Sequence, residues 1–305
     1  MKFERLQDQR KLIVDKVIKD MKDNKLHWSQ TWVDTFAPNN PITGTKYRGI
    51  NRITLGMIAA IREYKDPRWV TAKEAFASGW KIKKGAKSAA VEKWKLYKTK
   101  DDEDTESVID SKDTKVIPVC VGYFSVFNAN EIEGIPPLEV LENEDSNIND
   151  VADRLIETSR CPIYEHDSDV AYWSSSFDII SIPSRSLFTS IEAFSRTLLH
   201  EMGHSTGHRS CLARDMSGGR FSKEYAFEEL IAEMSAVFSS VDLGLDLKCD
   251  LDDKFYENHV AYLQCWLSRL ENNPDELFVA AAAAEKATEV ILDNYAGKEQ
   301  ITKVA

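Results

Sequence analysis

Apolar positions along the first part of the chain recur at helical spacing. Residues 3–24 carry apolar side chains three or four positions apart, as does a second segment at Ile53–Tyr64. This period predicts two amphipathic helices. The sequence TAKEAFASG that follows predicts a short helix that Thr71 caps and Gly79 ends.

The pattern becomes strand-like after Trp80. Two stretches, KSAAVEKWKLYK and KVIPVCVGYFSVFN, have the composition of strands. Between them lies an acidic polar connection at residues 101–113. We therefore expect a long hairpin with an inserted loop.

The second part of the chain is predicted to be mostly helical with a small sheet. It follows a segment rich in proline and acidic residues at 136–148, which lacks periodicity and is typical of a linker. One short strand is predicted at Asp178–Pro183. The helix that precedes Gly207 begins with a possible capping box formed by Thr189 and Glu192. The predicted helices are Asn149–Arg160, Phe188–Gly207, Tyr225–Leu243, Phe255–Leu270 and Asp275–Leu292.

These elements predict an α+β protein of two domains. The first would occupy residues 1–135 and the second residues 149–305, a division that a chain of 305 residues accommodates. No window is apolar enough for a membrane span, and the N-terminus lacks the features of a signal peptide. Five widely spaced cysteines without a CxxC motif are typical of a reduced compartment. We therefore expect a cytoplasmic protein, in a bacterial host or recipient cell, that does not bind membranes.

Charge divides the chain in the same place. The first 100 residues hold 23 Lys+Arg and 10 Asp+Glu, a net charge of +13, whereas the remaining 205 residues have a net charge of −24. Such an asymmetry indicates that one part faces a nucleic acid, although two differently solvated surfaces would also produce it.

Aromatic residues alternate with cations in the basic part, which favours single-stranded DNA as its partner. Aromatic rings stack on unpaired bases while lysine and arginine contact phosphates, so we expect weakly specific binding that depends strongly on salt. The alternative is that the tryptophans fill a small core and the lysines cover it. The series continues to Trp94, Lys95 and Tyr97. Its candidate DNA-binding residues are Trp28, Trp32, Tyr47, Arg48, Asn51, Arg52, Trp69, Lys81, Lys83, Lys84 and Lys87.

The chemistry of the acidic part is carried by an HExxH motif at His200-Glu201-Met202-Gly203-His204. Histidines four residues apart project from one face of a helix, so both imidazoles reach one zinc ion. Glu201 lies beside them and can accept a proton from water that the metal acidifies. The motif therefore predicts a metallopeptidase-type site, the alternative being a helix with two surface histidines.

The third metal ligand is open to four candidates. Glu229 is favoured, with Glu233 one turn further as a partner of a ligand or as an alternative ligand. Glu228 lies about 100° round the helix and is expected to be a solvated neighbour. His208 is a further alternative, although Gly207 makes its direction uncertain. The metzincin pattern is excluded because its third histidine would fall at Ser210. Two histidines and a glutamate favour zinc and admit manganese or cobalt.

Two features are consistent with a cleft that holds a peptide. The stretch DVAYWSSSFDIISIP could supply an edge strand to which an extended peptide adds by backbone hydrogen bonds. The hydroxyl groups of Tyr172 and Tyr225 are candidate donors to an oxyanion, although buried tyrosines commonly only pack.

An ordered set of motifs resembles the ArdC family of plasmid- and phage-borne antirestriction proteins. These motifs are WSQTW…PNNPITGTKYRGIN, WKIKKGAK, YFSVFNANEIEGIP, HEMGHSTGH and YAFEELIAE, and the resemblance extends from about residue 5 to about residue 295. It implies an N-terminal single-stranded-DNA-binding domain joined to a zincin-like metallopeptidase domain. It also implies that His200 and His204 bind the metal, that Glu201 is the catalytic acid and base, and that the Glu-Glu-Leu stretch provides the third ligand.

Three functions compete on this basis. The first is a DNA-tethered zinc metallopeptidase that protects incoming mobile-element DNA, for example during conjugation, by acting on restriction or other DNA-associated proteins. The second is a non-enzymatic single-strand-binding shield whose metal only stabilises the fold. The third, a toxin-like effector that cleaves a host protein, is disfavoured because the sequence shows no secretion signal.

Overall fold

The computed structural model describes residues 2–24, 37–98, 116–138, 147–216, 222–245 and 266–297. Residues 266–272 are helical. The other α-helices are α1 (Lys2–Asn24), α2 (Ile50–Ile61), α3 (Ala72–Ala77), α4 (Ile148–Glu157), α5 (Ile191–Ser205), α6 (Lys223–Asp242) and α7 (Glu276–Tyr295). The strands are β1 (Trp69–Thr71), β2 (Lys81–Ile82), β3 (Ala89–Lys98), β4 (Val116–Asn128), β5 (Ile132–Glu133), β6 (Ile163–His166), β7 (Tyr172–Ser174) and β8 (Ile179–Pro183).

The predicted hairpin is the antiparallel pair β3–β4. Strand β1 joins it on the far side of β4, which makes a three-stranded sheet in the order β1-β4-β3. Its acidic connection, residues 101–113, lies outside the described residues. The predicted cap of α3 is also confirmed, because the Thr71 side chain accepts from the Glu74 amide and the Glu74 carboxylate bonds back to Thr71. The short pair β2–β5 was not predicted.

Two side-chain amides cover the exposed edge of β3. The Gln9 amide exchanges hydrogen bonds of 3.0 and 2.8 Å with the backbone of Ala90. The Asn51 amide does the same with Glu92, at 2.7 and 2.8 Å. These contacts satisfy backbone groups that would otherwise be unpaired at a sheet edge. They also tie α1 and α2 to the sheet.

The second half places its helices against a small mixed sheet. Strand β8 lies between β6, which is parallel to it, and β7, which is antiparallel. The strand and the described helices predicted here are present with shifts of up to a few residues. Strand β6 was missed because it is too short for a clear alternation, whereas β7 lies within the stretch DVAYWSSSFDIISIP that was expected to supply an edge strand. Helix α5, which carries the HExxH motif, begins after Ser190, whose side chain caps Ala193, so the capping box predicted at Thr189 was wrong by one residue. Of the helix predicted at Phe255–Leu270, only residues 266–270 are described.

One hydrophobic core joins the two halves of the chain. Its buried residues come from α1, α2 and the hairpin on one side, and from α6 and α7 on the other. A second core, formed by α4, α5 and the small sheet, lies within the C-terminal half. The chain is therefore a two-domain α+β protein in which α6 and α7 pack against the N-terminal elements. None of the described helices is both long enough and apolar enough to cross a bilayer.

Candidate metal centre and candidate DNA-binding residues

Both histidines of the HExxH motif lie on the buried face of α5. The two Nε2 atoms are 3.1 Å apart, and the His200 and His204 side chains are almost inaccessible to solvent. The four-residue spacing brings the rings together because it corresponds to about one helical turn. This spacing therefore places two imidazole nitrogens at one point in the interior.

Helix α6 adds a carboxylate at the same point. The Glu229 Oε2 atom is 3.4 Å from His200 Nε2, and Oε1 is 3.5 Å from His204 Nε2. Two ligands of a tetrahedral zinc ion with bonds of about 2.0–2.1 Å are separated by about 3.3 Å. Each carboxylate oxygen of Glu229 therefore lies at about this separation from one of the two imidazole nitrogens. His200, His204 and Glu229 form the metal-ligand cluster found in the described residues.

Each histidine contacts a second glutamate through its other ring nitrogen. Glu233 Oε2 lies 3.5 Å from His200 Nδ1, and the Glu233 carboxylate forms a buried ion pair with Arg196. A carboxylate at Nδ1 favours the tautomer that presents Nε2 to a metal. Glu233 therefore lies behind a ligand and not among the ligands.

Glu228 takes the equivalent place behind His204. Its Oε1 atom is 3.4 Å from His204 Nδ1, and Arg214 holds both carboxylate oxygens at 2.6 and 2.8 Å. The expectation that Glu228 is solvated was wrong, because Glu228 is only 3% exposed. The rotation of about 100° from Glu229 directs it to the far side of the same histidine. Arg196 and Arg214 were missed by sequence reasoning, since nothing in their spacing marks them.

Gly203, inside the motif, permits the close contact between α5 and α6. A Cβ atom at this position would lie 2.3 Å from Ser235 Oγ and 3.2 Å from the Ala232 Cα atom. Only a residue without a side chain allows the helices to approach this closely. The approach is what brings Glu229 within reach of the histidines.

Glu201 lies between the metal cluster and the small sheet. Glu201 is 8% exposed, and its carboxylate accepts a hydrogen bond from the backbone of Trp173 on β7. Burial raises the pKa of the Glu201 carboxyl above its ordinary value, and the negative charge of Glu229 also raises it. The charges of His200 and His204 lower this pKa, but their effect is smaller. A carboxyl group with a raised pKa is suited to exchange protons near neutrality.

The imidazoles are held in their charged form by the surrounding carboxylates. Burial disfavours protonation of His200, but hydrogen bonds to Glu229 and Glu233 outweigh it and raise the His200 pKa to about 9. Burial raises the Glu229 pKa, and the stronger effect of His204 and His200 lowers it well below its usual range. A metal ion at this position would take over the charge that these protons now supply.

The other predicted site residues are His208, Tyr172 and Tyr225. The His208 Nδ1 atom is 3.3 Å from Asp178 and 2.7 Å from Ser210 Oγ, and His208 is not part of the cluster of donor atoms found in the described residues. Tyr172 is 48% exposed on β7, and Tyr225 packs against the core shared by the two halves.

Three candidate DNA-binding residues have structural roles instead. Trp69 is 1% exposed, so its ring has no face on which a base could stack. Arg52 is 2% exposed and pairs with Asp242 and Glu285. The Asn51 amide is occupied by the backbone of β3. Each was taken for a binding residue because burial cannot be read from residue type alone.

The remaining candidates lie on the surface or outside the described residues. Arg48 is exposed and pairs with Glu289 at 2.9 Å, while Tyr47 is half-buried and its hydroxyl donates to the Trp69 carbonyl at 3.4 Å. Trp28 and Trp32 are outside the described residues. The exposed lysines are Lys81, Lys83, Lys84 and Lys87.

Two family models match consecutive parts of the chain. One, described as the N-terminal domain of anti-restriction factor ArdC, matches residues 7–127. The other, described as a zincin-like metallopeptidase, matches residues 150–283. The metal cluster lies in the second match and the hairpin in the first.

Curated relatives match over most of this chain. Two proteins named DNA primase TraC from Escherichia coli are 33% and 34% identical over 92% of it, but the chain spans only 20% and 26% of their lengths. An uncharacterized protein, y4eC of Sinorhizobium fredii, is 26% identical over 87% of the chain and 83% of its own length.

Crystal structures of an antirestriction protein match the whole fold. The metal-free structure of ArdC from plasmid R388 is 30% identical and superposes with a TM-score of 0.70, covering 94% of this chain and 98% of that one. Its Mn(II)-bound structure is 28% identical and superposes with a TM-score of 0.70, covering 95% of this chain and 99% of that one. This relative and the cluster of donor atoms support a divalent metal at His200, His204 and Glu229. Its sequence, its fold and its two consecutive family matches place this chain in the ArdC family of antirestriction proteins.

Proposed function

We propose that this chain is a zinc-dependent peptidase whose N-terminal half binds single-stranded DNA, and that it protects incoming mobile-element DNA in the cytoplasm of a bacterial cell. The observation that carries the enzymatic part is the convergence of His200, His204 and Glu229 on one buried point. Glu201 lies beside that point with a raised pKa. Together they provide the ligands and the acid–base group that peptide hydrolysis requires.

The chain's own residues would divide the chemistry in a simple way. When bound, a divalent ion supplies Lewis acidity to a peptide carbonyl and to water. Glu201 would accept the proton of the attacking water and return it to the leaving amine. Glu228 and Glu233 hold the two imidazoles in orientation from behind. Two histidines and one carboxylate are the donor set of several peptidase zinc sites, which favours zinc over manganese or cobalt.

The edge strand β7 supports a peptide as the substrate. In the sheet order β6-β8-β7, strand β7 is at the edge, and the Trp173 backbone contacts Glu201. An extended peptide that pairs with this edge would pass directly beside the acid–base group. Tyr172, exposed on the same strand, and Tyr225 on α6 are the candidate donors to the oxyanion.

The DNA-binding part is supported by the charge of the N-terminal half. Its first 100 residues have a net charge of +13, and the exposed lysines at 81, 83, 84 and 87 follow one another on and after β2. Backbone phosphates are attracted by such a surface regardless of base sequence. A host restriction protein or another DNA-associated protein is then the substrate that this arrangement would bring to the peptidase site.

The Glu201→Gln variant tests the enzymatic proposal. We expect it to lose cleavage of restriction and single-strand-binding proteins while its metal content, measured by atomic absorption, stays at the wild-type level. Glu192→Gln, on the first turn of the same helix, is the matched control and should cleave normally. Equal cleavage by wild type and Glu201→Gln would refute a peptidase.

A shield with a structural metal is the second candidate. It is favoured by α6, which carries Glu229 and also packs in the core shared with the N-terminal half. Because the halves share this core, the full chain is the proper test object. Undiminished protection of incoming DNA by Glu201→Gln, with protection lost in a double variant His200→Ala/His204→Ala, would establish the shield.

A further inference from the structure

The outer part of the β3–β4 hairpin extends beyond its three-stranded sheet. Strand β1 pairs only with residues 126–128 of β4. From the pair Lys93–Gly122 to the pair Lys98–Val116, β3 and β4 contact only each other within the described sheet. At about 3.3 Å per residue, this two-stranded arm is about 17–20 Å long.

Alternation sorts the side chains of this arm onto two faces. Val91 and Phe124 are cross-strand partners, and Lys93 and Lys95 follow Val91 at every second position on β3. The register shifts once between β3 and β4. Lys93 pairs with Gly122, but the next residue, Trp94, pairs with Cys120, so one residue of β4 is passed over. Lys95 then pairs with Val119. We call the set Lys93, Lys95, Val119 and Phe124 the Lys93 face.

The Lys93 face combines an exposed ring with two exposed cations. Phe124 is 47% exposed, and the Lys93 ammonium lies 5.8 Å from its ring centroid. Lys93 and Lys95 are both exposed, and neither forms an ion pair with a carboxylate of the described residues. The surface therefore has positive charge beside an aromatic platform.

The opposite face differs in charge although it also carries aromatic residues. Trp94 donates from Nε1 to the Glu92 carboxylate at 3.0 Å, and Glu92 is paired with Arg10 at 2.7 Å. Tyr123, the cross-strand partner of Glu92, is 38% exposed. On this face the Glu92 carboxylate, with Trp94 and Arg10 bonded to it, takes the place of the lysines on the Lys93 face.

We propose that the Lys93 face is the contact surface for single-stranded DNA, with one base stacked on Phe124 and the adjacent phosphates bound by Lys93 and Lys95. The proposal rests on the DNA-binding function proposed above and specifies its location. Stacking on an exposed ring requires an unpaired base, which selects single strands over duplex. Exposed lysines attract phosphates, because neutralising the phosphate charge releases bound counterions. The buried Trp69 and Arg52 play no direct part.

Fluorescence anisotropy of a labelled oligothymidine of about 20 nucleotides, titrated with the full chain over a salt series, tests this assignment. Phe124→Ala should weaken binding about tenfold without changing the salt dependence, because it removes stacking only. The double variant Lys93→Ala/Lys95→Ala should reduce the slope of log affinity against log salt by about 1.4, since each phosphate contact on a single strand contributes about 0.7.

Controls on the opposite face and elsewhere make the test decisive. Tyr123→Ala, one residue away but on the other face, and Lys73→Ala on α3 should bind as the wild type does. Phe124→Leu keeps the apolar packing without the ring and should bind as weakly as Phe124→Ala, with an unchanged melting temperature. Wild-type affinity in Phe124→Ala, an equal loss in Tyr123→Ala, or a preference for duplex would overturn the assignment. Absence of any binding by the wild type would instead refute the DNA-binding function.

Discussion

Arg52 of α2 and Asp242 at the end of α6 form an ion pair inside the contact between the two halves of the chain. The guanidinium Nη2 lies 2.8 Å from the Asp242 carboxylate, and both side chains are less than one-tenth exposed. Glu285 of α7 is also near, at 3.4 Å from Nη1. One arginine therefore pairs with two buried carboxylates from the C-terminal half, and α6 is also the helix that carries Glu229 of the metal cluster.

Replacement of Arg52 by methionine should destabilise the whole chain. It keeps most of the apolar stem but leaves Asp242 and Glu285 buried without their main cation, so we expect a loss of about 3–5 kcal/mol in the free energy of unfolding. Urea denaturation followed by circular dichroism measures it. Arg48→Met is the control, because the Arg48 side chain is 48% exposed and its ion pair with Glu289 contributes about 0–1 kcal/mol. Similar losses in both variants would contradict the role assigned to burial.

Arg214→Gln should weaken metal binding. The change removes the cation that holds Glu228 against His204, which frees the imidazole to rotate away from the metal. Loss of such a supporting contact commonly reduces metal affinity by about 10–100-fold. Competition with a fluorescent chelator gives the affinity directly and requires no peptidase substrate.

The exposed Arg209 provides the matched control for this measurement. Arg209→Gln should retain wild-type metal affinity, whereas Glu228→Gln should resemble Arg214→Gln. If Arg214→Gln binds metal as tightly as the wild type, the arginine has no positioning role.

Gly203→Ala should separate α5 from α6. The added methyl group would meet Ser235 Oγ at 2.3 Å and the Ala232 backbone at 3.2 Å, so one helix must move. We expect a loss of about 1–3 kcal/mol in stability, as overpacking usually causes, together with weaker metal binding because Glu229 moves away from the histidines. The double variant Gly203→Ala/Ser235→Ala should recover part of both losses. No recovery at all would locate the strain in the Ala232 backbone.

Metal affinity should increase with pH up to about 9. The His200 pKa is raised to about 9, so below that value the metal-free imidazole holds a proton that the metal must displace. Each displaced proton gives about a tenfold gain in affinity per pH unit, and the contribution of His200 should disappear once His200 is neutral. Chelator competition between pH 6 and pH 10 measures this dependence. An affinity that does not change across that range would show that no proton is released.

The helices and the hairpin could be predicted because their signals are local. Thr71 and Glu74 cap α3 through contacts three residues apart, and HExxH spacing places His200 and His204 on one face whatever surrounds the helix. Periodicity over ten or more residues similarly indicated α1 and the β3–β4 pair. The proposed acid–base group, Glu201, and two of the proposed metal ligands, His200 and His204, were therefore readable from the chain directly.

Glu228, Arg214 and the buried Arg52 were not readable in this way. The role of each depends on a partner from another element. Glu228, for example, reaches His204 Nδ1 only because Gly203 lets α6 approach α5. Trp69 looked like a stacking residue and is a core residue for the same reason. Local order of residues decides which helices and strands form and which faces their side chains share. Contacts between residues distant in the chain decide which polar groups are buried, and hence which carboxylates bind a metal, which only support its ligands and which join the two halves.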